Sequence, residues 1–255
     1  MMADGVALIG GFNYGDNDIT GQDPVHNVTV VSGDIDWGNG GQDITDANGV
    51  VITTTNIISN NAYHVVSAIG VNGTAVLDGF TITAGQANGT IPDYWGGRFL
   101  CDGSEGKNCN PALMNNVFAG NFADNVGGAL FNNGKNGIRN PTLTNVTFCS
   151  NSVKCCGRAM YKLGQGGGSS SILTNVVFSG NSAFRNGGGM YNYSYNGGTS
   201  KPILSNVTFT GNSAGGFGGA MVNDGENTGT SIPELRNSIV WNNLDRNHQR
   251  QHFLN

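Results

Sequence analysis

The phrase "NVTFTGNSAGGFGGAM", from Asn206 to Met221, is the fourth copy of a repeat that decides the fold. The three earlier copies read "NNVFAGNFADNVGGAL", "NVTFCSNSVKCCGRAM" and "NVVFSGNSAFRNGGGM". Their phenylalanines are 30, 30 and 31 residues apart, and a fixed period of this length predicts a solenoid of stacked coils. Weaker copies flank them, with Ile82 and Val240 in the place of the phenylalanine. The four phenylalanines are Phe118, Phe148, Phe178 and Phe209.

The local pattern within each copy favours strands over helices. In "ILSNVTF" and "TLTNVTF", β-branched and aromatic residues alternate with polar ones, and long amphipathic stretches of helical period are missing. Short strands that stack in parallel lie about 4.8 Å apart. The sequence therefore predicts an all-β fold, a right-handed parallel β-helix with about 30 residues per coil and seven or eight coils.

Stacked coils give each repeated residue a structural role. The phenylalanines are expected to stack inside the core, and glycines of the "GG" words to allow bends with positive φ. The expected division of the chain is an N-terminal segment with the first coils (1–60), the repeats (61–243) and a polar tail (244–255). A ladder of asparagine amides at a bend is expected from Asn116, Asn145, Asn175 and Asn206.

Composition excludes several classes of function. The net charge of −5 argues against a general nucleic-acid binder, and no run of 18 apolar residues predicts a membrane span. The opening "MMADGVALIGGF" lacks the basic start and long apolar core of a secretion signal, as expected of a fragment or of a mature chain.

Five cysteines leave at least one thiol unpaired within the chain. Cys101 and Cys109 bracket the polar loop "CDGSEGKNC", and either a disulfide or two free thiols fits that spacing. Cys155 and Cys156 are adjacent, an arrangement that tetrahedral zinc sites and simple disulfide bridges rarely use.

The paired words "FAGN…GGAL", "FCSN…GRAM", "FSGN…GGGM" and "FTGN…GGAM" resemble the FxxN and GGA(I/L/M) repeats of chlamydial polymorphic outer-membrane proteins and related bacterial surface β-helix proteins. The resemblance covers residues 6 to 243. It implies a secreted or surface-displayed protein, and adhesion is one role in such families. The wider β-helix class also contains polysaccharide lyases. Neither an autotransporter barrel nor a sorting tail is expected within residues 1–255, which is a departure from the family pattern.

A functional site is expected where one coil departs from its neighbours. The copy with "KCCGR" replaces small or neutral residues by Lys154, Arg158 and Lys162, and the next coil adds Arg185. This predicts a basic patch for an anionic sugar chain, since guanidinium groups pair with carboxylates or sulfates and tyrosine rings offer flat apolar faces. The tyrosines assigned to substrate binding are Tyr191, Tyr193 and Tyr195.

A polysaccharide lyase is the alternative function. Lys154 or Arg158 would neutralise the uronate carboxylate, and Lys162 or Tyr161 would act as the base. A lysine base needs a lowered pKa, which neighbouring positive charge favours. Asp124 is also assigned to the substrate-binding set, and a simple surface ion pair with Lys154 one coil above is the other interpretation.

A second candidate is a calcium loop in "DIDWGNGGQDITD", which begins with Asp34 and Asp36. The loop lacks the closing glutamate of an EF-hand, and an ordinary turn rich in Asp and Asn is the alternative. The expected partner is a polysaccharide or a cell-surface glycan, with an extracellular or cell-surface location. No nucleic-acid partner is expected, and Ca²⁺ is the one candidate cofactor.

Overall fold

The computed structural model of the protein describes residues 1–16, 18–36, 42–58, 60–90, 99–157, 159–246 and 250–254. These residues form short strands and two 3-10 helices, Ile19–Gly21 and Thr54–Asn56. Up to the first regular coil, the strands are β1 (Ala7–Ile9), β2 (Thr29–Ser32), β3 (Val66–Ile69), β4 (Val76–Asp78), β5 (Phe80–Thr83), β6 (Gln86–Ala87) and β7 (Phe99–Asp102).

The regular coils follow, each with the same succession of strands. The first contains β8 (Ala112–Met114), β9 (Val117–Ala119), β10 (Phe122–Ala123), β11 (Leu130–Asn133) and β12 (Ile138–Arg139). The second contains β13 (Thr142–Thr144), β14 (Thr147–Cys149), β15 (Ser152–Val153), β16 (Met160–Gln165) and β17 (Gly168–Ser169). The third contains β18 (Ile172–Thr174), β19 (Val177–Ser179), β20 (Ser182–Ala183), β21 (Met190–Tyr195) and β22 (Thr199–Ser200). The last strands are β23 (Ile203–Ser205), β24 (Thr208–Thr210), β25 (Ser213–Ala214), β26 (Met221–Glu226), β27 (Thr230–Ser231), β28 (Glu234–Arg236), β29 (Ile239–Leu244) and β30 (Arg250–Leu254).

Equivalent strands of successive coils pair in parallel and build four sheets. Sheet A has the order β1-β4-β8-β13-β18-β23-β28, sheet C the order β3-β7-β11-β16-β21-β26, and sheet D the order β12-β17-β22-β27. Sheet B runs β2-β5-β9-β14-β19-β24-β29 and returns through β25-β20-β15-β10-β6, because the long β29 pairs with both β24 and β25. At its end β30 pairs with β29 in antiparallel orientation. The predicted parallel β-helix is confirmed.

The solenoid has about five turns of roughly 31 residues, fewer than the seven or eight coils expected. The difference lies at the N-terminal end, where the layers are incomplete. Sheet D begins only at β12, whereas sheet A already begins at β1. Among the described residues no helix is long and apolar enough to cross a membrane.

The phenylalanines of the repeat stack in the core as predicted. Their ring centroids are 5.0, 4.9 and 4.6 Å apart along the ladder, with interplanar angles of 13°, 7° and 3°. Ile82 and Val240 extend the column at its two ends and are buried. The aromatic and aliphatic rows of sheets A, B and C thus form one continuous apolar core.

An asparagine ladder follows the bend between sheets A and B, but the prediction misplaced its first member. Asn145 donates through Nδ2 to Oδ1 of Asn115 at 3.0 Å, and Asn175 donates to Asn145 at 3.1 Å. Asn115, and not Asn116, lies three residues before its phenylalanine, as Asn145 does in the next copy. Asn116 occupies the buried valine position and donates to the Leu77 carbonyl at 2.8 Å. The ladder asparagines have φ between +51° and +57°, a conformation that asparagine tolerates better than most residues.

A second asparagine ladder lies inside the solenoid, where the chain turns within sheet B. Asn151, Asn181 and Asn212 each donate to the Oδ1 of the next member at 2.8–2.9 Å. Each amide also donates to the carbonyl of a core phenylalanine one coil below at 2.9 Å. The buried Nδ2 groups are thereby satisfied, and their bonds fix the register between coils.

The cysteine loop in the insertion before β8 is closed by a disulfide between Cys101 and Cys109, with an S–S distance of 2.11 Å. Both residues are fully buried, whereas Cys149, Cys155 and Cys156 are free thiols. The sequence left open either a disulfide or two free thiols at these positions, and the structure shows the disulfide.

Candidate functional site

The residues of the candidate site lie on strands of one coil and its neighbours, so their positions follow from the strand faces. A strand points successive side chains to opposite sides of its sheet. In β16 the burial alternates from Met160 to Gln165, with Met160 and Lys162 inside and Tyr161 on the outer side. The structure therefore separates Tyr161 from Lys162, although the two are adjacent in sequence.

Lys162 is fully buried, and burial lowers the pKa of its ammonium well below the ordinary value. In register its neighbours are Asn132 of β11 and Asn192 of β21. Its Nζ makes no hydrogen bond to any described atom, and the Oδ1 atoms of both asparagines are likewise unpartnered. The lowered pKa fits the predicted base, but the side chain faces the interior of the solenoid.

Sequence reasoning missed a second buried cation, Arg139 of β12. Its side chain has no exposed surface, and Nε and both Nη atoms lack hydrogen-bond partners among the described residues. Burial lowers the pKa of this guanidinium to about 10, while the charge of Asp102 acts in the opposite direction. Ser169 and Ser200 take the equivalent positions in sheet D, so an alignment extended to this slot would have found the exception.

Lys154 and Arg185 lie on two successive coils, away from Lys162 and Arg139, in a groove that we call the basic groove. It is lined by the short strands β10, β15, β20 and β25 with the residues that follow them, and its volume is about 950 Å³. Its basic side chains are Lys154, Arg185 and Arg246, its acidic side chain is Asp245, and its aromatic side chains are Phe122, Phe184 and Phe217.

The three cations of the basic groove have different surroundings. Lys154 Nζ lies 2.7 Å from Asp124 Oδ1 and 5.4 Å from the centre of the Phe122 ring. The Arg246 guanidinium lies 5.7 Å from the centre of the Phe217 ring. Arg185 is exposed, and no described carboxylate forms an ion pair with it. Arg185 is therefore the cation of the groove that is most available to an anionic ligand.

The predicted contact between Asp124 and Lys154 is present, with the lysine side chain 64% exposed. Ion pairs of this kind contribute little to stability. Arg158, the other cation proposed beside Lys154, lies outside the described residues.

The tyrosines form a separate surface on the outer side of sheet C, which we call the tyrosine face. Tyr161 stacks on Tyr191 with ring centres 5.3 Å apart, and Tyr193 lies 6.3 Å from both Tyr191 and Tyr195. Among the described residues that line the basic groove there is no tyrosine. The predicted site is thus divided between two surfaces.

Two carboxylates that sequence reasoning missed complete the tyrosine face. Tyr191 donates from its hydroxyl to Asp224 at 2.6 Å, and Tyr193 donates to Glu226 at 3.0 Å. Burial and the hydrogen bond to Glu226 raise the pKa of Tyr193 to about 12. Burial also raises the pKa of Tyr161 well above its ordinary value, so this phenol stays protonated where a general base would have to be ionised.

The candidate calcium loop is described only in part, because residues 37–41 lie outside the described residues. Asp34 accepts backbone N–H groups of Asp36 and Asp43 at 3.0 and 3.1 Å. Asp36 accepts the N–H of Asn60 at 2.8 Å. In the described ranges no group of three His, Cys, Asp or Glu side chains has the arrangement of a metal site. Calcium binding by Asp34 and Asp36 stays a prediction.

Comparisons with protein-family models, with curated proteins and with solved structures found no match to this chain.

Proposed function

We propose that this protein is a secreted or surface-displayed β-helix that binds an anionic glycan chain in the basic groove. The observation that carries the proposal is the unpaired, exposed Arg185 beside the exposed rings of Phe184 and Phe217, on a chain with a net charge of −5. Basic side chains are few in this sequence, yet three of them line one groove.

The groove suits an extended polymer because it crosses several coils. Lys154 and Arg246 occupy equivalent slots three coils apart, a distance of about 14 Å at the usual strand spacing. Arg185 lies one coil above Lys154. Guanidinium groups bind carboxylates and sulfates through two parallel hydrogen bonds, so an acidic sugar chain meets a charge at more than one coil.

The exposed phenylalanines supply the apolar part of the recognition. The side chain of Phe184 is 74% exposed and that of Phe217 60% exposed, both unusual for residues of this type. Flat apolar rings beside cations fit the apolar faces of pyranose rings in an acidic polysaccharide, whereas a small inorganic anion would gain nothing from them.

The extracellular location is part of the proposal and has two supports. The closed disulfide is typical of oxidising compartments. The FxxN and GGA(I/L/M) words support a relationship to chlamydial polymorphic outer-membrane proteins and similar surface proteins, whose parallel solenoid this chain shares.

The geometry supports binding better than β-elimination. A lyase needs a base next to the cations that neutralise the uronate. Lys162 is enclosed, Tyr161 stays protonated on the tyrosine face, and Lys154 lies in the basic groove.

The test measures retention of the full chain on immobilised polygalacturonate, alginate and heparin, with dextran as a neutral matrix. We expect binding to at least one acidic polymer, weakened about tenfold by Arg185→Ala because a charge-assisted pair is lost. Lys201→Ala is the matched control, since it removes an exposed cation that does not line the groove. Equal weakening by both variants, equal retention on dextran, or no binding to any acidic polymer would refute the proposal. Ultraviolet absorbance of the same mixtures detects unsaturated sugars if the protein is a lyase.

A further inference from the structure

The second regular coil, which contains the word "KCCGR", has two adjacent thiols that the proposed function does not use. Cys155 and Cys156 follow β15, and their Sγ atoms lie 2.9 Å apart. Cys155 is partly exposed, whereas Cys156 is buried. The thiols therefore contact each other, and one of them is open to a reagent from solution.

Backbone hydrogen bonds hold this dipeptide to the coils on both sides. The N–H of Cys156 donates to the Asn125 carbonyl of the coil below at 3.3 Å, and the carbonyl of Cys155 accepts the N–H of Arg185 from the coil above at 3.0 Å. Cys156 is also in register with Val126 as a bridge. The backbone of both cysteines is thus held by the neighbouring coils, with their sulfurs in contact.

The third free thiol provides an internal comparison. Cys149 lies on β14, and burial raises the pKa of its thiol. Its thiol is free and contacts no other described cysteine, whereas the Cys101 and Cys109 sulfurs are already joined. Only the adjacent pair therefore combines a contacting partner thiol with access to solvent, among the described residues.

We propose that Cys155 and Cys156 form a redox-active dithiol that closes to a disulfide by exchange with a low-molecular-weight disulfide. The Cys155 thiolate attacks one sulfur of the reagent, forming a mixed disulfide and releasing the first thiolate. The Cys156 thiol then loses its proton and its sulfur attacks Sγ of Cys155, which forms the protein disulfide and releases the second thiolate. Two protein thiols are oxidised, one external disulfide is reduced to two thiols, and the two protons end on those thiols.

The surroundings assign the attacking role to Cys155. The hydrogen bond from Cys156 lowers the pKa of Cys155 to about 7, burial opposes this shift, and the charge of Arg185 adds to it. The same interaction raises the pKa of Cys156. A thiol with a pKa near neutrality is both ionised enough and nucleophilic enough for exchange. Cys156 is then placed to resolve the mixed disulfide.

The test treats the folded full chain with oxidised glutathione, blocks remaining thiols with iodoacetamide after denaturation, and maps the peptides by mass spectrometry. We expect Cys155 and Cys156 to be linked without bound glutathione, and Cys149 to carry the alkyl group. Glutathione that stays on Cys155 of the unaltered protein, or preferential reaction at Cys149, would refute the inference. So would two alkylated thiols at 155 and 156.

Single variants separate the two roles. Cys156→Ser is expected to trap glutathione on Cys155, and Cys155→Ser is expected to slow modification at least tenfold because the remaining thiol is buried. Cys149→Ser is the matched control and should react like the unaltered chain. A Cys155→Ser variant that reacts at the unaltered rate would assign the attack to the wrong sulfur and overturn the mechanism. Neither result depends on glycan binding.

Discussion

Lys162 occupies a position of the repeat that holds asparagine in the neighbouring coils. The equivalent slot holds Asn132, Asn192 and Asn223, and Asn192 donates to Asn223 at 2.8 Å. Lysine interrupts this inner row with an amino group that has no described hydrogen-bond partner. Burying such a group costs free energy unless it is paired or neutral. Lys162 helped to mark this coil as a candidate site, but on the inner face of sheet C it lowers the stability of the fold.

Lys162→Asn is therefore expected to stabilise the fold at neutral pH by about 1–3 kcal/mol, the cost of leaving a buried polar group unpaired. The asparagine completes the row and removes the buried amino group, which has no hydrogen-bond partner among the described residues. Urea unfolding followed by circular dichroism measures the difference. Lys201→Asn, at an exposed position, is the control and should change stability by no more than about 0.5 kcal/mol. Loss of stability in Lys162→Asn would show that the lysine has a favourable partner.

The same variant is expected to change the pH dependence of stability. The unfolded chain protonates Lys162 at its ordinary pKa of 10.5, whereas the folded chain protonates it only at a lower pH. Between these two values the unfolded state binds more protons, so this lysine makes stability rise with pH. The gain from Lys162→Asn should hence be larger at pH 6 than near pH 10. A gain that is equal at both would contradict a lowered pKa.

The phenylalanine ladder is, at the scale of one element, a column of fully buried rings in the core. Phe178 is fully buried and stacks between Phe148 and Phe209 at 4.9 and 4.6 Å. Phe178→Ala is expected to cost about 3–5 kcal/mol, because it opens a cavity in the column. Phe184→Ala six residues later removes an exposed ring and should cost no more than about 0.5 kcal/mol. Thermal or urea unfolding distinguishes the two, and similar losses would contradict a stabilising role for the buried ring column.

The two asparagine ladders are expected to differ in energy although they look alike in sequence. Asn181 is buried and bonds to both coil neighbours and to the Phe148 carbonyl, so Asn181→Ala should cost about 1–3 kcal/mol. Asn175 bonds to Asn145 at the surface, where water replaces the lost partner. Asn175→Ala should cost clearly less, although its positive φ adds a backbone contribution. Equal unfolding midpoints for the two variants would contradict this ranking.

Most of the fold could be predicted from the sequence because each coil repeats the same slots. The column of Phe118, Phe148, Phe178 and Phe209 and the parallel register both follow from the period. The error at Asn116 arose because two asparagines precede Val117, and only the distance to the phenylalanine tells which one bends the chain.

The candidate site was harder to predict because the alignment gives the coil and not the direction of each side chain. Tyr161 and Lys162 are neighbours on one strand and so face opposite sides of sheet C. Arg246 belongs to the same slot as Lys154, but its copy of the repeat is weak, with Val240 in the place of the phenylalanine. Asp224 and Glu226 lie one coil from the predicted tyrosines, in register with Tyr193 and Tyr195, at positions that carry no word of the repeat.

The whole molecule is a stack in which each coil contacts mainly its two neighbours. The strands of a terminal coil therefore have a neighbouring coil on one side only. At the C-terminal end, sheets A, C and D finish at β28, β26 and β27, while β30 covers the edge of β29 through antiparallel pairing. An uncovered strand edge presents free N–H and C=O groups that pair readily with another chain. β30 thus protects β29, the strand of sheet B that pairs with both β24 and β25.

Deletion of residues 247–255 is expected to expose that edge and to promote self-association. Light scattering after size exclusion, over a series of protein concentrations, should show larger species for the shortened chain at concentrations where the full chain does not change. The unfolding midpoint should fall as well, because β29 loses its backbone partners. A shortened chain with an unchanged mass distribution and midpoint would mean that β29 is held by β24 and β25 alone, and that the antiparallel strand adds no protection.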